Sequence, residues 1–110
     1  MAYQIINFSN FDKSIVTLRK RYKNIGKDIA QLNHELSNNP YLGEKFFEYC
    51  YKIRLKNSST NKGKSGGFRV IYYFIGENNY IYLIDIYSKS DQESIKKSHL
   101  IKILKNENSD

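Results

Sequence analysis

The sequence has one cysteine (Cys50), one proline (Pro40), no tryptophan and only six glycines. A single thiol closes no internal disulfide, so the chain needs no oxidising compartment and is expected in the cytoplasm. So little glycine and proline argues against low-complexity linkers. The longest apolar run falls far short of the roughly 20 residues that cross a bilayer, so no membrane partner is expected. Met1-Ala2-Tyr3-Gln4 lacks the charged-then-apolar pattern of a secretory signal. The two histidines, His34 and His99, form no cluster with metal-ligand spacing, and neither a metal nor another cofactor is expected. They read as surface or partly packed side chains, and Cys50 as a small buried hydrophobe.

What is present fits one globular domain over residues 1–110: 110 residues, 40% hydrophobic and 26% charged, enough for a single core. Ten Tyr and six Phe favour strands carrying large side chains. Eighteen Lys and Arg against eleven Asp and Glu leave a net charge of +7. Such a balance describes either a solvated lysine-rich surface or a protein with a polyanionic partner, and the distribution of the charge has to decide.

Along the chain, Tyr3 to Phe8 is short and apolar-rich, as a first strand is. Phe11, Ile15, Leu18 and Tyr22 recur at helical spacing, with Ser9 or Asn10 available as a cap. Ile25, Ile29, Leu32 and Leu36 repeat the pattern and predict a second helix ending near Asn38-Asn39-Pro40, where proline stops propagation. From about Lys45 the period changes to two, predicting strands over Phe46 to Lys56, Phe68 to Ile75 and Tyr80 to Lys89. The Gly76-Glu77-Asn78-Asn79 connection makes the last two a hairpin. Ser90 and Glu93 have capping-box spacing for a last helix with Ile95, Leu100, Ile101 and Leu104 on its apolar stripe; residues 106–110 are expected to fray. The order β-α-α-β-β-β-α predicts an α+β fold. It has a twisted, antiparallel-rich sheet, an N-terminal helical hairpin on one face, a C-terminal helix, and part of the other face open.

The charge is unevenly placed. From Tyr49 to Gly76 there is no acidic residue, yet Lys52, Arg54, Lys56, Lys62, Lys64 and Arg69 all lie there. In a strand, Lys52, Arg54 and Lys56 share one face while Ile53 and Leu55 point to the core. Three like charges on one strand face repel one another, an arrangement that a phosphate backbone would stabilise. If the strands are neighbours, Arg69, Tyr87 and Lys89 converge on the same side. Tyrosine rings beside cations suit single-stranded RNA, whose unstacked bases settle on aromatic faces while cations hold the phosphates. Ordinary strand filling is the competing explanation for the tyrosines. The Arg19-Lys20-Arg21-Lys23 cluster on the first helix reads as a solvated face, or as a grip on RNA through Arg19 and Arg21.

Three ordered blocks resemble the RelE/ParE superfamily of toxins, and within it the HigB/RelE-like branch. They are Lys52-Ile53-Arg54-Leu55-Lys56, the run from Gly63 through Gly67-Phe68-Arg69-Val70-Ile71-Tyr72-Tyr73, and Ile86-Tyr87-Ser88-Lys89-Ser90. The resemblance implies a RelE-like fold and a type II toxin partnered by a cognate antitoxin. The toxin would be monomeric alone and assemble further through the antitoxin. It also implies ribosome-dependent cleavage of mRNA in the A site. Lys52, Arg54, Arg69 and Lys89 fall on the family's basic positions. Members that cleave RNA often carry Tyr or His near the start of the last helix, where this chain has Asp91-Gln92-Glu93-Ser94-Ile95, which leaves the general acid unassigned.

Metal-free cleavage proceeds by attack of a 2′-hydroxyl on its own phosphate, which needs a base, an acid and cations for the developing charge. A lysine crowded by other cations can serve as base. The expected roles are Lys52 as base, Arg54 and Arg69 as phosphate and transition-state stabilisers, Lys89 as stabiliser or acid, and Tyr87 as base-stacking ring or proton donor. Lys56, Lys62, Lys64, Arg19 and Arg21 are expected to hold RNA, and Asp85 to orient a neighbouring cation. A ParE-like inhibitor of DNA gyrase and a catalytically weak RNA-binding module are the alternatives.

Overall fold

The computed structural model describes residues 3–61 and 66–107. Its elements are β1 (Gln4–Asn7), α1 (Ser9–Arg19), α2 (Ile25–Asn38), β2 (Glu44–Phe47), β3 (Cys50–Leu55), β4 (Phe68–Phe74), β5 (Tyr80–Ser88) and α3 (Lys97–Glu107). They build an α+β domain around one five-stranded sheet of order β1-β5-β4-β3-β2. β1 runs parallel to β5; every other neighbouring pair is antiparallel.

α2 forms where the spacing predicts it. Ile25, Ile29, Leu32 and Leu36 are all buried, and the helix stops at Asn38, just before Pro40. With Phe11 and Leu18 of α1 they cover the sheet face made by Leu55, Phe68, Val70, Tyr72, Phe74, Ile81 and Leu83. Cys50 is buried on the opposite face with Ile71 and Ile84, as the strand parity requires. That face is closed by α3, whose Leu100 and Ile103 pack there with Ile95. A bulge lets both layers fit. Ile71 pairs with Asp85 and Tyr72 with Leu83, so Ile84 is an extra residue that shifts the parity of β5.

Several sequence expectations need correction. The strand expected over Phe46 to Lys56 is two strands, β2 and β3, folded back at Glu48-Tyr49; Tyr49 takes a positive φ of 58° at the turn. The order is therefore β-α-α-β-β-β-β-α. α3 covers the second sheet face around Ile71 and Ile84, because Leu100 and Ile103 need an apolar floor, and part of that face stays open as expected. Ile103 replaces Ile101 on the buried stripe, and Ile101 is exposed. Ser90 and Glu93 open no helix: Ser88 and Lys89 engage their side chains, and α3 starts only at Lys97. Phe8 occupies the cap position of α1, and Ser9 is its first helical residue. Ser9 donates from its backbone N (3.2 Å) and Oγ (3.0 Å) to the Glu107 carboxylate, so α3 continues into the segment expected to fray.

One core tyrosine fixes the approach to β2. Fully buried Tyr72 donates its hydroxyl to Pro40 O at 2.8 Å and accepts from Gly43 N at 2.8 Å. Its ring stacks on Tyr51 with centroids 5.2 Å apart. Burial pushes its phenol up to about 12 from 10.0. Because the folded protein favours the protonated phenol, this contribution is complete below pH 10.0 and is lost as pH rises toward about 12. Tyr72→Phe leaves a buried carbonyl and a backbone N–H unpaired. It is expected to cost about 1–3 kcal/mol in urea unfolding and to flatten the alkaline decline.

Candidate functional site

Cross-strand register builds the site. Arg54 of β3 lies directly opposite Arg69 of β4, and Arg69 lies directly opposite Tyr87 of β5. One row of the sheet therefore reads Arg-Arg-Tyr. Lys52, two residues along β3 from Arg54, and Lys89, immediately after β5, join them. Lys52, Arg54, Arg69, Lys89 and Glu44 line one concave site of about 370 Å³.

Arg69 is the rigid centre of this cradle. It is only 6% exposed, and its Nη1 donates to Phe68 O at 3.1 Å. Burial, and then the facing Arg54, lower its pKa, opposed by Tyr87 and Glu93. Two arginines paired across strands destabilise a sheet unless an anion lies between or above them. Lys52 sits with its Nζ 5.5 Å from the centre of the Phe46 ring, a cation–π contact that fixes the ammonium beside Arg54. Lys89 is held from both ends. Its backbone N donates to Gly67 O at 2.9 Å, and its Nζ donates to Glu93 O at 2.8 Å and pairs with Glu93 Oε1 at 3.0 Å.

Tyr87 departs from its expected role as a stacking platform. It is 5% exposed, so its ring offers no free face to a base. Its hydroxyl is buried without a hydrogen-bond partner among the described residues. Burial raises its pKa, which Asp85 and Glu93 reinforce and Arg69 opposes. Asp85 is also buried, and burial raises its pKa too. It accepts from Ser14 Oγ at 2.9 Å and Asn10 Nδ2 at 3.1 Å, fastening α1 to β5 rather than orienting a cation of the cradle.

The other expected RNA contacts lie elsewhere. Lys56 is exposed just beyond β3 and lines none of the cradle. Lys62 and Lys64 fall outside the described residues. Arg19 is exposed at the end of α1. Arg21 is engaged: Nη1 and Nη2 donate to the two Asp91 oxygens at 3.1 and 2.5 Å, and its guanidinium lies 4.7 Å from the Tyr22 ring centre. Two site residues escaped the sequence reading. Glu44 reaches the cradle because β2 pairs it with Lys52, and Glu93 because the segment after β5 turns back over Lys89. No local sequence signal marks either one.

Among the described residues, no group of three or more His, Cys, Asp or Glu is placed to hold a metal ion, and no helix is long and apolar enough to cross a membrane. No protein-family model matches the chain. Solved structures do. An arginine-to-alanine double variant of the Escherichia coli toxin RelE in the free state matches with a TM-score of 0.58 at 18% identity, over 96% of this chain and 98% of that one. The isolated E. coli RelE toxin matches with a TM-score of 0.55 at 17% identity, over 96% and 99% of the two chains. A chain of the RelBE2 toxin–antitoxin complex from Mycobacterium tuberculosis gives 0.60 at 14% identity, over 80% of this chain and 99% of that one. The two E. coli structures cover both chains almost completely, and the chain has the α+β fold of the RelE toxins.

Proposed function

We propose that this protein is the toxin of a type II toxin–antitoxin pair and cleaves mRNA in the ribosomal A site without a metal. The observation that carries the reading is the Arg54–Arg69 row with Lys52 and Lys89 in one concave site on a RelE-type sheet. Like charges gathered at fixed positions suit a phosphate that gains charge as the 2′-hydroxyl attacks. In this scheme Lys52 takes the 2′-hydroxyl proton, Arg54 and Arg69 hold the phosphate oxygens, and Lys89 stabilises or protonates the leaving 5′-oxygen. Tyr87 is a proton donor only in a conformation that uncovers its hydroxyl.

The partners follow from this reading. An antitoxin would cover apolar surface and bring acidic groups to the cradle. The toxin alone would be monomeric and work in the cytoplasm. The experiment is to add the purified protein to ribosomes stalled on a defined message and map the new RNA ends. Cuts within the A-site codon are the expected result. Double-strand DNA breaks in expressing cells without RNA cuts would instead identify a gyrase inhibitor. One observation favours a third outcome, RNA binding without cutting: of the two proposed proton donors, Tyr87 is buried and Lys89 is engaged by Glu93.

A further inference from the structure

Glu93 is an acidic residue that directly engages a cation of the cradle. Its carboxylate Oε1 lies 3.0 Å from Lys89 Nζ, and its carbonyl accepts from the same ammonium at 2.8 Å. Its charge also acts on Arg69 and on the buried Tyr87 hydroxyl. The backbone of Lys89 cannot retreat, because it is bonded to Gly67 just before β4. Glu93 can: its side chain is 78% exposed, against 30% for Lys89, and the segment carrying it has no helical structure before Lys97. A solvated ion pair of this kind is weak and exchanges readily with a competing anion.

We infer that Glu93 is an internal stand-in for an RNA phosphate: it occupies Lys89 in the empty cradle, is displaced when a phosphate arrives, and thereby sets how tightly the cradle holds single-stranded RNA. The inference rests on the reading that the cradle binds RNA phosphates. Displacement frees Lys89 for the incoming anion and draws the Glu93 segment away from Arg69 and Tyr87.

The probe is a short 2′-O-methylated single-stranded RNA, which cannot be cleaved by its own 2′-oxygen, with binding followed by fluorescence anisotropy. Glu93→Gln is expected to bind about fivefold more tightly at low salt, with the gain shrinking as salt rises. Glu77→Gln makes the same change of net charge in the exposed turn at the far end of the β4–β5 hairpin. It is expected to change binding by less than about twofold. In a Lys89→Ala background, Glu93→Gln should give no gain, since the ammonium for which the two anions compete is gone. Equal affinities of wild type and Glu93→Gln, with binding still lost in Arg69→Ala, would overturn the inference and leave the cradle reading intact. An equal gain from Glu77→Gln would also overturn it. Wild-type binding indifferent to both Arg54→Ala and Arg69→Ala would overturn the cradle reading and this inference with it.

Discussion

Arg69→Ala is expected to lower ribosome-programmed mRNA cleavage by about 10²–10³-fold, the range seen when one preorganised transition-state donor is removed. The size follows from position. Arg69 is the buried member of the cationic row, opposite Arg54 and Tyr87, and is tethered to Phe68 O. A guanidinium fixed in this way loses nothing to reorganisation when charge develops on the phosphate, unlike a mobile surface lysine. Stability should not fall in parallel, because the substitution also relieves the repulsion with Arg54 and the desolvation of a buried cation. Arg69→Lys should recover only part of the rate, since the planar fork is lost. Full cleavage by a well-folded Arg69→Ala protein, judged by an unchanged thermal midpoint, would remove Arg69 from the mechanism.

Gly67→Ala should lose about 3 kcal/mol of folding stability in a urea titration, at the upper end of typical overpacking costs. A Cβ at this position would lie 2.3 Å from Leu55 O and 3.1 Å from Asn57 N. Both are backbone atoms, which cannot rotate away as a flexible side chain can. The damage reaches the site because Gly67 O also accepts from Lys89 N and the chain enters β4 one residue later, just ahead of Arg69. Shifting this residue moves Arg69 and Lys89 together. A loss below about 1 kcal/mol would mean that β3 and β4 tolerate a wider separation here than their register implies.

The two predictions rest on features that were unequally legible in the sequence. The strand parity was legible: Ile53 and Leu55 against Lys52 and Arg54 follows from a period of two, and the acid-free stretch marked the cradle before any pairing was known. The α2 face was legible for the same reason, at period 3.6. The β2–β3 turn was not. It contains no glycine, asparagine or proline, and it is made by Tyr49 in a left-handed conformation that non-glycine residues rarely adopt. Hiding that turn also hid Glu44, which enters the cradle only through its pairing with Lys52. Glu93 was misread for a different reason. Its spacing from Ser90 matches a capping box, but its carboxylate pairs with Lys89 instead. Burial of Arg69 and Tyr87 could not be foreseen either, because it depends on α3 and the segment before it closing over the second face of the sheet.

The parallel pairing of β1 with β5 has a kinetic consequence. Gln4 meets Tyr80, and Ser9 meets Glu107, so residues far apart along the chain are partners. During synthesis, α1 and α2 can form as soon as they emerge, whereas β1 must wait until the β4–β5 hairpin is out. Contacts this distant along the chain slow folding and favour a single late closing step. Lys89 follows β5, so the cradle is completed in that same step. A chain cut short of Lys89 would lack it.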